Sequence, residues 1–314
     1  MHSFRVDVLN SILIIVAFLI ALFVPFQLFF YAYLILGPLH YLTQIPWLKE
    51  KRFYTQGNGD GWILGTFAII ATLASLGVVF QGVLSGGMVL FVAFWTALAC
   101  MYTRDLLVRI LAFITVCVLA FIFRTSSPLM LLFGFLLPTL VHVFLFTALF
   151  MLYGARKNDS VVGYGNVLLL VVLSASFFVI EKWFGGVEYS VVSEGYVWFR
   201  TALTDLLGVY AGESTRLLTT LFTSAYGVPL IQFVAFAYTY HYLNWFSKTK
   251  VIAWHESARA YAVTIVVLWL SAIAAYFMSF SLGILLVYGL SIAHVVCEFP
   301  LNHKTIGALL RRST

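Results

Sequence analysis

The sequence predicts an all-α, polytopic integral membrane bundle of about ten transmembrane helices with both termini cytoplasmic. Three observations predict it: the composition, the spacing of the apolar runs, and the side on which the basic residues fall. Of 314 residues, 62% are hydrophobic, 18% aromatic and only 10% charged. A soluble domain holds roughly 45–50% apolar and about 25% charged residues. Mean hydropathy is +1.01. These values exclude a water-soluble enzyme, a disordered chain and a nucleic-acid-binding module, so no nucleic-acid partner is expected. The polar residues lie in short strips, so residues 1–314 read as a single transmembrane domain. The expected setting is the inner (plasma) membrane of a bacterium.

About 20 apolar residues are needed to cross a hydrocarbon core of roughly 30 Å. The runs that qualify are 8–24, 26–47, 62–83, 87–103, 105–123, 128–153, 164–183, 222–246, 258–279 and 282–299. The first starts close to the N-terminus with no small-residue cleavage site, and reads as a retained helix. Only Pro25 divides it from the second. One helix over 8–47 would be about twice the length required, which favours a tight hairpin. Gly86-Gly87, Thr125-Ser126-Ser127-Pro128 and Ser281-Leu282-Gly283 supply other short turns.

Alternating the spans from a cytoplasmic N-terminus separates the charges. Arg5, Lys49, Lys51, Arg52, Arg104, Arg109, Arg156, Lys157, Lys248, Lys250, Arg259, Lys304, Arg311 and Arg312 fall inside. Arg124, Lys182, Arg200 and Arg216 fall outside. Basic residues are retained on the cytoplasmic side, which also accounts for the net charge of +6. The one long outer connection, about 184–221, carries Trp198, Phe199, Leu203 and Leu206 at helical spacing. It is expected to form an amphipathic interfacial helix, or a lid over an internal cavity.

Histidine placement points to a site. His40, His142, His241 and His294 lie in the second, sixth, eighth and tenth spans, all of which run inward, and each sits in the inner half. Ionisable side chains inside membrane helices are costly and face the protein interior. Gln44 follows His40 by four residues and Glu298 follows His294 by four, so each pair shares a helix face. A His-x-x-x-Glu pair supplies a nitrogen and an oxygen ligand, or a ligand and the group that orients it. Tyr240 stands beside His241 in an unusually polar run, Tyr238 to Phe246. The metal ligands expected are therefore His40, His142, His241, His294 and Glu298, with Tyr240 and Gln44 as catalytic candidates. The plainer alternative is that each histidine bonds a neighbouring helix separately.

Imidazole with carboxylate suits iron, zinc, copper or manganese and argues against calcium or magnesium. With no thiolate cluster among Cys100, Cys117 and Cys297, non-haem ferrous iron suits best. His255, in Trp254-His255-Glu256, lies in a loop that can fold back under the bundle, and His303 lies just past the last span. Pro38 stands two residues before His40, Pro138 four before His142, Pro229 twelve before His241 and Pro300 two after Glu298. Prolines bend membrane helices where a cavity or a neighbour satisfies the freed carbonyl. The aromatic load fits a cavity for a polyene or acyl chain, and lipid-facing packing explains it equally well. No P-loop, GxGxxG, GxSxG or aspartate-rich prenyl-diphosphate motif is present, nor paired broken helices of a repeat transporter.

Gly37-Pro38-Leu39-His40 within a span, with single histidines in later spans, resembles the Brp/Blh family of membrane carotenoid oxygenases. That resemblance implies a histidine-held iron within a helical bundle and oxidative cleavage of β-carotene to retinal. His40 carries the motif, whereas His142, His241 and His294 correspond in kind. This chain departs from the family in following His40 with Tyr41-Leu42-Thr43-Gln44, and in its larger number of spans. The HxxxH and HxxHH boxes of membrane desaturases are absent.

The leading expectation is thus an integral membrane metalloenzyme, a non-haem iron oxygenase or oxidase acting on a lipid-soluble small molecule. The bilayer and that hydrophobic substrate are its expected partners. Three other classes stay open: a carrier or channel with a histidine relay, a haem-binding electron-transfer protein, and a structural subunit without chemistry. Direct ligation to one ion requires imidazoles well within about 10 Å of one another, given metal–nitrogen bonds near 2 Å.

Overall fold

A computed structural model of the chain describes residues 2–57, 59–75, 79, 85–126, 128–129, 132–184 and 227–311. Every regular element among them is helical. The long helices are α1 (His2–Phe23), α2 (Pro25–Glu50), α3 (Asp60–Ser75), α4 (Gly86–Tyr102) and α5 (Leu106–Ile122). They continue with α6 (132–157), α7 (Val161–Phe184), α8 (Gly227–Ser247), α9 (Ala262–Met278) and α10 (Phe280–Leu310). Two short turns, Thr249–Ile252 and Trp254–Arg259, join α8 to α9. The outer connection expected over 184–221 lies outside the described residues beyond Phe184.

Among the described residues, five helices are long and apolar enough to cross a membrane: Phe4–Phe23, Pro25–Glu50, Leu136–Lys157, Val161–Val179 and Leu282–Leu310. Helices α3, α4, α5 and α9 are apolar but shorter. Their exposure pattern suits lipid. In α5 only Val116 and Ala120 are buried, while Leu107, Leu111, Ile114, Val118 and Phe121 lie open. An apolar face of that extent is untenable in water. The chain is a helical membrane protein.

The breaks between helices follow local chemistry. Val24 leaves the helical region (φ −135°, ψ 56°) and Pro25 opens α2, where its missing N–H is no loss. The Asp105 carboxylate caps α5 by accepting from the N–H groups of Leu107 and Val108 at 2.8 and 3.2 Å. Gly86 begins α4 where the end of α3 comes close, since a β-carbon there would lie 2.7 Å from the Ser75 Cα. Gly86→Ala is expected to destabilise the protein by about 1–3 kcal/mol through forced separation of α3 and α4. Thermal unfolding in detergent would check this, and an unchanged midpoint would refute the close approach.

Two helices are π-wound in part, over Ala32–Leu36 and Leu132–Phe146. The first runs directly into Gly37-Pro38, and the second contains Pro138. A proline removes one amide donor and crowds the carbonyl four residues back, and widening to i→i+5 bonding relieves both. The tenth span was expected to stop at 299, before Pro300. Instead α10 continues through Pro300 to Leu310. The apolar window closes there because Asn302, His303 and Lys304 are polar, but the helix carries on, with Asn302 buried and Thr305 bonding back to the Leu301 carbonyl at 3.0 Å.

One end of the bundle gathers the connections expected to be cytoplasmic. The Asp7 carboxylate accepts from the Ser160 hydroxyl, and Arg156 donates to the Leu309 and Arg311 carbonyls, both at 2.8 Å. Arg109 grips Asp60 with both terminal nitrogens, at 2.6 and 3.2 Å, and also reaches the Thr103 and Cys100 carbonyls. The first turns of α1 and the last turn of α10 both belong to this end.

Helix α8 packs against α1, α2, α6 and α7. Residues 235–242 are buried without a break, so its polar run is enclosed by other helices. Helices α2, α8, α6 and α10 close a ring in that cyclic order, with α10 opposite α8.

Candidate metal centre

That cyclic order sets the order of the imidazoles. Ring centroids are 4.8 Å apart for His40 and His241, 5.1 Å for His241 and His142, 4.9 Å for His142 and His294, and 4.7 Å for His294 and His40. The loop closes. Across it, His241 and His294 are 6.4 Å apart. All four residues are buried, His294 completely.

The spacing of opposite rings is that of two imidazoles facing one ion, while the potential ligand atoms group as two triads that share His294 and not as one set of four. With metal–nitrogen bonds of about 2.0–2.1 Å, the ion lies about 3.2 Å from each ring centroid, so imidazoles on opposite sides of it stand about 6.4 Å apart. The Nε2 atoms of His40 and His241 approach to 3.1 Å. That is the separation of two ligand atoms at roughly a right angle around one centre. Two sets of potential ligand atoms each lie within 4.8 Å of one another: His40, His241 and His294, and His142, His294 and Glu298. His294 belongs to both.

The groups around the rings fix their protonation. Gln44 donates its amide N–H to Glu298 Oε2 at 2.8 Å, which orients its carbonyl Oε1 toward His294 Nε2. Glu298 Oε2 lies 3.0 Å from the same nitrogen. Both oxygens accept, so His294 Nε2 carries the proton and Nδ1 keeps its lone pair. That Nδ1 has no protein partner. Thr147 Oγ1 meets His241 Nδ1 at 2.7 Å and leaves His241 Nε2 toward the centre. His40 Nδ1 and both nitrogens of His142 are also buried without a hydrogen-bond partner, His142 Nε2 standing 3.9 Å from Glu298 Oε2. An unsatisfied buried polar atom costs about 1–3 kcal/mol. Of these nitrogens, the two of His142 belong to a residue whose spacing places it with His294 and Glu298, within reach of a ligand supplied from outside the chain.

An aromatic wall closes the site. Tyr41 lies 4.8 Å from His294, and Tyr242 and Trp245 each lie 5.4 Å from His40. The Tyr41 and Tyr242 hydroxyls bond each other at 2.6 Å, close beside Gly37, where a β-carbon would stand 3.2 Å from the Tyr242 oxygen. Trp245 donates to Thr43 Oγ1 at 3.1 Å. Beneath it Trp254 stacks on Trp245, at 5.9 Å, so the 254–256 segment does fold back under the bundle.

The structure therefore brings together His40, His142, His241, His294, Glu298 and Gln44. It does not bring Tyr240. One residue along α8 turns the side chain by about 100°, and the Tyr240 hydroxyl bonds Asn10 on α1 at 3.1 Å and the Met151 sulfur at 3.4 Å. His255 approaches the Thr249 carbonyl at 3.3 Å and His303 the Tyr102 hydroxyl at 2.8 Å, both outside the ring. Thr147 is the contributor that sequence reasoning missed. It follows His142 by five residues, a spacing that an α-helix places on another face but an i→i+5 winding brings round. Thr147→Val is expected to lower metal affinity about 10-fold by releasing His241. Competition with a chelator of known strength would measure it.

No family model, curated protein or solved structure matches the chain.

Proposed function

We propose that this protein is a multi-pass membrane metalloenzyme, a non-haem iron oxygenase or oxidase acting on a lipid-soluble polyene or acyl chain. One observation carries the reading: four buried imidazoles form a closed ring with a 6.4 Å diagonal, in which two triads of potential ligand atoms share His294, an arrangement that suits a transition-metal ion. Imidazole-rich sites with one carboxylate and no thiolate suit iron among the first-row metals. Ferrous iron held there would supply dioxygen binding and activation.

The chain's own residues do the rest. His40, His142, His241 and His294 hold the ion as neutral imidazoles. Glu298 offsets its charge as a ligand or as the partner of His294. Gln44 keeps the His294 proton on Nε2, and the Thr147 hydroxyl holds the His241 ring by its Nδ1. Tyr41, Tyr242 and Trp245 exclude water from a reactive centre. The ring also argues against haem, since imidazoles 4.7–5.1 Å from their neighbours leave no gap for a porphyrin between axial ligands. The Gly37-Pro38-Leu39-His40 resemblance to Brp/Blh oxygenases supports a carotenoid-type substrate. Ten alternating helices, with the basic end in the cytoplasm, remain the topology that the charge distribution supports.

The test is metal analysis of freshly purified protein, followed by incubation with β-carotene or phospholipid acyl chains under air and under argon. The expected result is stoichiometric iron and oxygen-dependent loss of the polyene with aldehyde formation. Protein that folds, carries no transition metal and takes up none would overturn the proposal. Stoichiometric metal without polyene turnover would retain the centre and reject the substrate.

A further inference from the structure

A cavity of about 820 Å³ opens at the basic end, lined by none of the four ring histidines. The last turn of α2 and the segments before α3, α5 and α9 build it. Lys49, Arg52 and Arg104 line it, and no acidic side chain does. The acids nearest in sequence are already engaged. Asp60 is held by Arg109 and by the N–H groups of Gln56 and Gly57, and Asp105 caps α5. Among the described residues Glu50 has a cation close by, Lys51 at 3.9 Å, outside the cavity. Arg52 takes a left-handed backbone (φ 54°) that ends α2. Three cations without an acid facing one recess repel one another, and an anion relieves that repulsion.

Two further features say what kind of anion. Trp62 and Tyr261, at 83% and 45% exposure, line the same cavity, as aromatics do at the headgroup level of a bilayer. The next residues along the same helices then line an apolar groove of about 250 Å³ between α3, α4 and α5. Trp62 gives way to Ile63, Arg104 to Leu106, and Phe67, Trp95 and Phe113 follow deeper. A basic recess beside a mainly apolar groove, whose one charged residue, Arg109, is held by Asp60, has the polarity of a phospholipid. Basic pockets between membrane helices are suited to anionic headgroups.

We infer that this recess and groove form a binding site for one anionic phospholipid, its phosphate held by Lys49, Arg52 and Arg104 and an acyl chain laid along α3, α4 and α5. Free phosphate shares the headgroup chemistry but leaves the groove unused.

Native mass spectrometry of the full chain, exposed to equal amounts of phosphatidylglycerol and phosphatidylcholine, tests the inference. The expected result is about five-fold or greater retention of phosphatidylglycerol. The triple variant Lys49→Gln/Arg52→Gln/Arg104→Gln should lose that preference. A matched variant at the same end, Lys157→Gln/Lys250→Gln/Arg259→Gln, should keep it. Equal retention of the two lipids by the unsubstituted protein, or equal loss in both variants, would overturn the site. Displacement of the lipid by inorganic phosphate alone would assign the recess to a free anion and overturn the lipid reading. Should the triple variant fail to fold, tryptophan quenching by brominated acyl chains decides. Brominated phosphatidylglycerol should quench more than brominated phosphatidylcholine, and Trp62→Phe/Trp95→Phe should abolish the difference. Equal quenching would overturn the inference.

Discussion

Replacing His294 with alanine is expected to bring the metal content of the purified protein down to background. His294 belongs to both sets of ligand atoms, and its ring neighbours those of His40 and His142. Without it neither set retains three donors. Alanine also takes a buried partner from Gln44 Oε1 and Glu298 Oε2, so the metal content is read on protein shown to be folded. Gln44→Leu supplies the graded comparison. It leaves every proposed ligand in place but frees the His294 ring and removes a donor from Glu298, so metal should bind about 10–100-fold more weakly. Elemental analysis and chelator competition read both effects, with thermal unfolding as a control for folding. Full metal occupancy in His294→Ala would show that the imidazole ring is not the binding site. Occupancy lost in Gln44→Leu but kept in His294→Ala would reverse the roles assigned to them.

The largest expected loss of stability lies elsewhere, at Arg109 and Asp60. Asp60 is 2% exposed and accepts from both Arg109 terminal nitrogens and two backbone amides. Arg109 also closes the carbonyl ends at Cys100 and Thr103. Truncating one member of a buried pair leaves the other charge unpaired, at a cost of about 3–5 kcal/mol. Asp60→Ala should therefore destabilise by about that amount. Asp60→Leu with Arg109→Leu should recover a substantial part, since two apolar side chains leave no orphaned charge. Reversible denaturation in mixed micelles measures both. An Asp60→Ala loss below about 1 kcal/mol would mean that water already reaches the pair.

Much of the fold was legible because bilayer physics writes it into composition. Hydrocarbon demands apolar side chains over one span length and internally satisfied backbone, so helix positions follow from runs of apolar residues. The ends were less legible. Pro300 and the polar residues after it close the apolar window, yet α10 runs on to Leu310, because hydropathy marks where lipid contact ends and not where backbone hydrogen bonding ends. The π-winding around Pro138 was likewise hidden, and with it the alignment of Thr147 with the site.

The histidines were recognisable as a set from type and depth alone, since an imidazole within a membrane helix needs a reason to be there. Residue spacing also placed Gln44 with His40 and Glu298 with His294, each on one face of its helix. Adjacency along the chain misled in the case of Tyr240, whose neighbour His241 faces the centre while Tyr240 faces α1. Tyr242 and Tyr41, equally close in sequence to a histidine, do line the site.

From the order of its residues alone, then, this chain reveals a lipid-facing helical protein with polar side chains at matched depths in four of its helices. Which of those helices touch, and in what cyclic order, depends on packing between segments distant in the chain. His40 and His241, 201 positions apart, bring their nitrogens to 3.1 Å. Hydropathy is a property of each segment, whereas a ligand ring is a property of how segments dock, and docking depends on side-chain shape that no single run of residues records.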